Sequence, residues 1–277
     1  MNMSLPSRIA LVFFVVICFV FIYLTWEVDE KYALYIIPGV VGIVVTYILS
    51  PQIDWWFYNR NTPDLSEQFK KILVSKSPIY ENLTVDLKTL YRKRIYLFMM
   101  GNDFTGMAGF EENIPEDIKF CLSTHATLFT LNSDTFLFPN FEKIIIYQQR
   151  FPSPQYPTQF HSSELFEEDG CLLFDATIIL KSTIEPYNYF NPVLYEYYKV
   201  FKKSNKFNLY PSVNEDDMKL GEQISGFTEE HIDQIVGLPN LDNEAILATY
   251  YFVFPERFRS IHPLLFKEFN TLFNLFN

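Results

Sequence analysis

Two uninterrupted apolar runs open the chain, Ile9 to Trp26 and Tyr32 to Leu49, separated by Glu27-Val28-Asp29-Glu30-Lys31. Each is roughly 18 residues, at the short end of what crosses the ~30 Å hydrocarbon core of a bilayer. Trp26, Tyr32, Trp55 and Trp56 stand where interfacial aromatic anchors belong. Pro38, Gly39 and Gly42 suit a membrane helix packed closely on a neighbour. Leu24-Thr25-Trp26 has no small-x-small cleavage pattern, and a second run follows at once, so the pattern predicts a two-helix anchor rather than a signal peptide. Arg8 before the first run and Arg60, Lys70, Lys71 and Lys76 after the second place positive charge at both outer ends. That asymmetry predicts membrane lipid as a partner, with both termini and the soluble domain on the cytoplasmic side of the inner (plasma) membrane.

Beyond Pro51 and a linker, Asn59 to Pro63, the periodicity changes to that of a soluble domain; the predicted division is 1–58 and 59–277. Asp64 is the expected N-cap of a helix to Ser75, with Glu67 completing a capping box. Thr84 caps a helix to Met100, with Leu87, Leu90, Tyr91, Arg94, Ile95 and Phe98 on one face. Gly101 to Gly106 reads as a C-cap and turn, and without a Lys-Ser/Thr it is no phosphate loop. Pro115 starts a helix to Leu131, and Glu142–Gln148 and Gly170–Phe174 read as strands. Asn191-Pro192, Asp242 and Pro263 each open a later amphipathic helix, while Ser204 to Leu241 reads as polar and irregular.

The chain has 277 residues, 49% of them hydrophobic, and a formal net charge of −11 carried mainly after the first fifty. Such a balance excludes a nucleic-acid binder, which needs a basic face. Cys18 lies in the first apolar run, and the remaining Cys121 and Cys171, without CxxC spacing, are too few for a disulfide framework and read as core thiols.

Only four histidines are present: His125, His161, His231 and His262. No two are spaced by three or four residues. His161 with Glu164, Glu167, Glu168 and Cys171 is a possible ligand set, but a solvated acidic loop explains it more simply. His231 sits among acids at a helix start, and His125 on an apolar helix reads as a core histidine. Ser182 lies beside Lys181, yet adjacent helical residues point about 100° apart, so the pair does not form a nucleophile and its base.

Several pieces, in order from Asp64 to Asn274, resemble the MtfA-type, glucose-regulated zinc peptidases of bacteria. They are Pro78-Ile79-Tyr80 with Leu83, Asp86 and Leu87; Arg94 to Phe98 with Phe104-Thr105-Gly106; and Ile144-Ile145-Ile146-Tyr147 with Phe151-Pro152. The fullest is Glu244 to Phe252 followed by Pro255-Glu256-Arg257-Phe258 and His262-Pro263. The resemblance implies an α+β fold: a zincin-like domain of helices with a small β-sheet, following the two-helix transmembrane hairpin. It also implies zinc held by His-Glu-x-x-His on one helix and by a Glu on a later one.

In this chain the matching positions read Lys181, Ser182 and Glu185, within Asp175 to Glu185, and Thr249 on the later helix. No zinc ligand and no base carries over, so no cofactor, no metal site and no catalytic residue is expected. Lys181 and Glu185, at i and i+4, either form an ion pair or lie exposed to solvent, with Thr249 expected to converge on the same face. The function expected is that of a non-catalytic, membrane-anchored pseudoenzyme serving as a binding or regulatory protein, with the former active-site groove as the place for a protein or peptide partner. The alternatives are an active zinc peptidase with unconventional ligands and a structural subunit of a membrane complex.

Overall fold

The computed structural model describes residues 4–205 and 210–276. They form two compact units, Met1–Pro63 and Asp64–Asn277.

In the first unit, α1 (Leu5–Glu27) and the span Glu30–Ile48 are each long and apolar enough to cross a membrane. The second span begins with a 3-10 segment, Glu30–Tyr35, and continues as α2 (Ile36–Ile48). Pro38 therefore falls in the first turn of α2, where its missing N–H leaves no bond unmade. Gly39 and Gly42 let the two helices approach: a Cβ on Gly39 would lie 2.5 Å from Cys18 Sγ, and one on Gly42 would lie 2.4 Å from the Phe14 ring. The chain is helical again in α3 (Ser50–Arg60), where the sequence reading had Pro51 closing the span; proline is tolerated at this helix start. Asp54 on α3 caps α1 from a distance, accepting bonds from Ser4 N (3.0 Å), Ser7 N (3.1 Å) and Ser7 Oγ (3.0 Å).

The second unit is mostly helical around a small mixed sheet, an α+β arrangement. Its strands are β1 (Asp103–Met107), β2 (Lys143–Tyr147), β3 (Ser163–Phe166) and β4 (Cys171–Asp175), in the order β1-β2-β4-β3. The first three neighbours in that order run parallel, and β3 runs antiparallel to β4. Ile144, Ile146, Leu172 and Phe174 are fully buried on one face. That face meets α5 (Val85–Gly101) and α8 (Pro192–Ser204) through Phe98, Tyr197 and Phe174, with Phe174 stacked on Tyr197 at 6.3 Å. The other face carries a smaller cluster, Phe151, Cys171 and Leu173. The remaining core is aromatic: Phe129 lies 4.8 Å from Phe252 and 5.6 Å from Phe273.

Several boundaries differ from the sequence reading. The first helix of this unit is α4 (Glu67–Lys76), capped by Ser66, while Asp64 binds Lys70 and Arg92. Glycine at 101 and 106 suggested a turn, yet Asp103–Met107 is β1, because the hydrogen-bonding of β2 overrides weak local propensity. The helix after Pro115 is α6 (Glu116–Ala126), tightening to 3-10 geometry at Thr127–Thr130. The stretch read as irregular holds α9 (Glu215–Ser225) and α10 (Glu229–Val236); residues 206–209 of it lie outside the described residues. Asn214 and Asp217 form a capping box on α9, and Gly226 (φ +79°) and Gly237 (φ +81°) end the two helices in left-handed caps. The chain then forms α11 (Asn243–Val253), α12 (Pro255–Ile261) and α13 (Pro263–Phe273).

Candidate functional site

Strand β4 runs directly into α7 (Ala176–Ile184), with Asp175 at the junction. The Asp175 carboxylate caps the helix by accepting from Thr177 N at 2.7 Å, and burial pushes its pKa above the usual carboxylate range. Ile178 and Ile179 are buried, so this face fixes how α7 lies. α7 and α11 both pack against α8.

The helix stops one residue earlier than the resemblance requires. Glu185 has φ −126° and ψ 64°, outside the helical region, although its N–H still bonds Lys181 O at 2.8 Å. Pro186 is the cause, since its ring disfavours helical backbone at the residue before it. The Lys181–Glu185 ion pair does not form. The Lys181 ammonium lies 5.4 Å over the Tyr189 ring, and Glu185 Oε2 accepts from Asn188 Nδ2 at 2.9 Å. Ser182 is fully buried and donates to Ile179 O at 3.2 Å. Thr249, also buried, donates to Ala245 O at 2.9 Å. Among the described residues, no side-chain hydrogen bond or ion pair joins any two of these four.

Glu185 lines an open groove. One cavity of about 480 Å³ is bounded by Val74, Pro78, Glu81, Ile184, Glu185 and Tyr187. A neighbouring cavity of about 390 Å³ shares Pro78 and Tyr187 and reaches Val253, Phe254 and Arg257, one turn beyond Thr249. Val74, Ile184 and Tyr187 expose apolar surface there.

The donors present do not suit zinc. An ammonium offers three hydrogens and no lone pair, and the two hydroxyls are bonded within their own helices. No group of three or more His, Cys, Asp or Glu able to hold a metal occurs among the described residues.

His125 on α6 faces α7, with Nε2 3.0 Å from Thr183 Oγ1. Thr183 gives its own hydroxyl hydrogen to Ile179 O, so it accepts from His125 Nε2–H. Burial holds His125 down to a pKa of about 3, and it pushes the nearby Cys121 thiol up to about 12.

The set around His161, read as a solvated acidic loop, is instead a buried network on and beside β3. His161 and Glu164 are buried, with His161 Nε2 2.9 Å from Glu164 Oε2. Ser163 donates to Glu196 Oε1 on α8 at 3.0 Å, and Lys199 Nζ lies 2.6 Å from Glu196 Oε2. Glu196 and Lys199 went unnoticed in the sequence because only their i, i+3 spacing marks them. Glu167 does lie at the surface, in an ion pair with Lys203 at 2.8 Å.

No curated protein matches the chain. A family model does: that of the glucose-regulated metallopeptidases M90 matches residues 53–170. The match ends one residue before β4 and so covers none of Lys181, Ser182, Glu185 and Thr249. Over residues 53–170 the chain is similar to the M90 metallopeptidase family.

Proposed function

We propose that this chain is a membrane-anchored, non-hydrolytic M90 protein in which the groove beside α7 holds a protein or peptide segment without cleaving it. The observation that carries the reading is the donor set. A zinc peptidase owes its nucleophile to a metal that lowers the pKa of bound water to about 7. Here a cation, two internally bonded hydroxyls and a carboxylate beyond the helix end stand at the ligand and base positions. Apolar Val74, Ile184 and Tyr187 beside the open groove suit a partner's side chain better than they suit bulk water.

The anchor in this reading is α1 with the span Glu30–Ile48, and the flanking cations orient both termini to the cytoplasm. Protease digestion of sealed vesicles tests the orientation: a tag at either end should be protected from external protease, and release of either tag overturns it. Metal analysis of the purified full-length chain tests the chemistry, run alongside peptide cleavage with and without chelator. Expected are zinc far below one equivalent and no chelator-sensitive turnover. Near-equimolar zinc with chelator-sensitive cleavage would replace the reading with that of an active peptidase using unconventional ligands.

A further inference from the structure

Just before β3, Ser162 N bonds Val236 O at 2.9 Å, so the end of α10 meets the sheet there. β1, the other edge, pairs only with β2, and its side chains alternate between exposed and half-buried. Its hydrogen-bonding phase follows from the parallel register. Asp103 N donates to Glu142 O at 2.9 Å while Asp103 pairs with Lys143. In a parallel ladder this phase turns the N–H and C=O of residues 103, 105 and 107 toward β2. The N–H and C=O of Phe104 and Gly106 then point outward, and among the described residues no bond reaches them.

An open edge is a template for another strand, and this one fits itself. Set two copies of Asp103-Phe104-Thr105-Gly106-Met107 antiparallel about Thr105. Phe104 of each then exchanges both main-chain bonds with Gly106 of the other, making four bonds, and Thr105 faces Thr105. The pairing brings Asp103 opposite Met107, so no like charges are opposed, and Asp103 keeps Lys143 beside it on β2. Phe104 meets a residue without a side chain. Gly106 cannot be otherwise, because a Cβ there would lie 2.0 Å from Phe110 O. Antiparallel pairing is isologous and closes after two copies, whereas a parallel pairing does not.

We propose that β1 is a dimerisation edge, joining a second copy of this chain about a two-fold axis through Thr105 into a continuous eight-stranded sheet. The interface is independent of the groove beside α7.

The test uses the full-length chain in detergent and three single variants, Thr105→Cys, Asp103→Cys and Met107→Cys, treated with a mild oxidant. Directly opposed residues of a non-hydrogen-bonded pair have Cα atoms about 4.5 Å apart, within disulfide range. The same-residue pairs at 103 and at 107 are offset by roughly 13 Å, beyond it. Expected is rapid cross-linking of Thr105→Cys, none above wild type for either flanking variant alone, and cross-linking when those two are mixed. The native cysteines are buried, and the wild-type chain gives their background. Equal cross-linking of all three variants, or none of Thr105→Cys, overturns the proposal. Thr105→Lys, at an exposed position, opposes two ammonium groups across the axis. It should weaken self-association seen by sedimentation up to about fivefold, with an unchanged circular-dichroism spectrum. A wild-type chain that sediments as a monomer throughout would also overturn the proposal.

Discussion

Two sets of buried polar side chains in the second unit are satisfied in opposite ways. On α7 and α11, Ser182 and Thr249 return their hydroxyls to carbonyls of their own helices. Around β3, bonds cross between elements: Ser163 reaches Glu196 on α8, and Glu196 in turn holds Lys199. A hydroxyl bonded within its own helix exerts no pull on a neighbour, so its position tolerates replacement. A buried carboxylate with one cation is the reverse, because removing either member strands the other away from water. The hydroxyls on α7 and α11 are locally self-sufficient, while buried charge joins strand to helix around β3.

Lys199→Met should therefore produce the largest effect. It leaves the fully buried Glu196 without its cation and should cost about 3–5 kcal/mol in denaturant unfolding of the full-length chain. Adding Glu196→Gln removes the stranded charge and should recover most of that loss. A cost below about 1 kcal/mol for Lys199→Met would erase the contrast between the two sets.

His125, bonded to Thr183 on α7, makes stability depend on pH. Its folded pKa of about 3 lies below the ordinary value of 6.5, so the unfolded chain takes up the proton first as pH falls. The stability involved is intact above pH 6.5 and is lost progressively between 6.5 and 3. From pH 7 to pH 5 the loss should be about 2 kcal/mol. His125→Gln keeps an N–H for Thr183 and should flatten this part of the stability profile. An equally steep profile in the variant would assign the acid sensitivity to another group.

How much of this was legible in the sequence depended on whether the signal was local. Caps at Thr84, Asn191 and Asp242 mark their helices correctly, because a side-chain oxygen answering a nearby N–H is a short-range event. The caps of α9 and α10 were equally local, yet Asn214, Gly226 and Gly237 were read as polar irregularity. Strand β1 had no such signal, since Asp-Phe-Thr-Gly-Met lacks a β-branched run and is held extended by β2. Strand β3 was hidden for a related reason: Ser163 and Glu164 look solvated until α8 and His161 supply their partners. At the candidate site the resemblance singled out Lys181, Ser182, Glu185 and Thr249, but their contacts could not be read from it. Pro186, legible as a breaker after Glu185, also disfavours helical backbone at Glu185 itself, the extra helical residue that a Lys181–Glu185 pair requires.

A smaller effect is expected where hydroxyls are bonded in place. Ser182→Ala removes one donor to Ile179 O, which still receives the Thr183 hydroxyl at 2.7 Å. No buried acceptor is orphaned, so the cost should stay below about 1 kcal/mol. Thr249→Val should behave alike, its acceptor being a carbonyl within α11. A loss of about 3 kcal/mol from either, measured by the same unfolding experiment, would mean that the hydroxyl joins α7 or α11 to something else.

The smallest effect belongs to Lys181 and Glu185, and it separates the structure from the ion pair the helical spacing suggests. Both side chains are exposed; one lies over Tyr189 and the other is bonded to Asn188. Lys181→Met forfeits a cation–ring contact worth about 0.5–1 kcal/mol at most, while its methylenes can still cover the ring. Glu185→Gln keeps an acceptor for Asn188 and should change stability by less than about 0.5 kcal/mol. Since their side chains share no contact, the double variant should equal the sum of the single ones within about 0.3–0.5 kcal/mol. An ion pair gives a different result, with each single change costing more than its share and the double change recovering the excess. A coupling near 1 kcal/mol that fades with added salt would therefore restore the pair and return Glu185 to the helix. Additivity would instead leave α7 ending at Ile184, with Glu185 turned toward the groove as part of its wall.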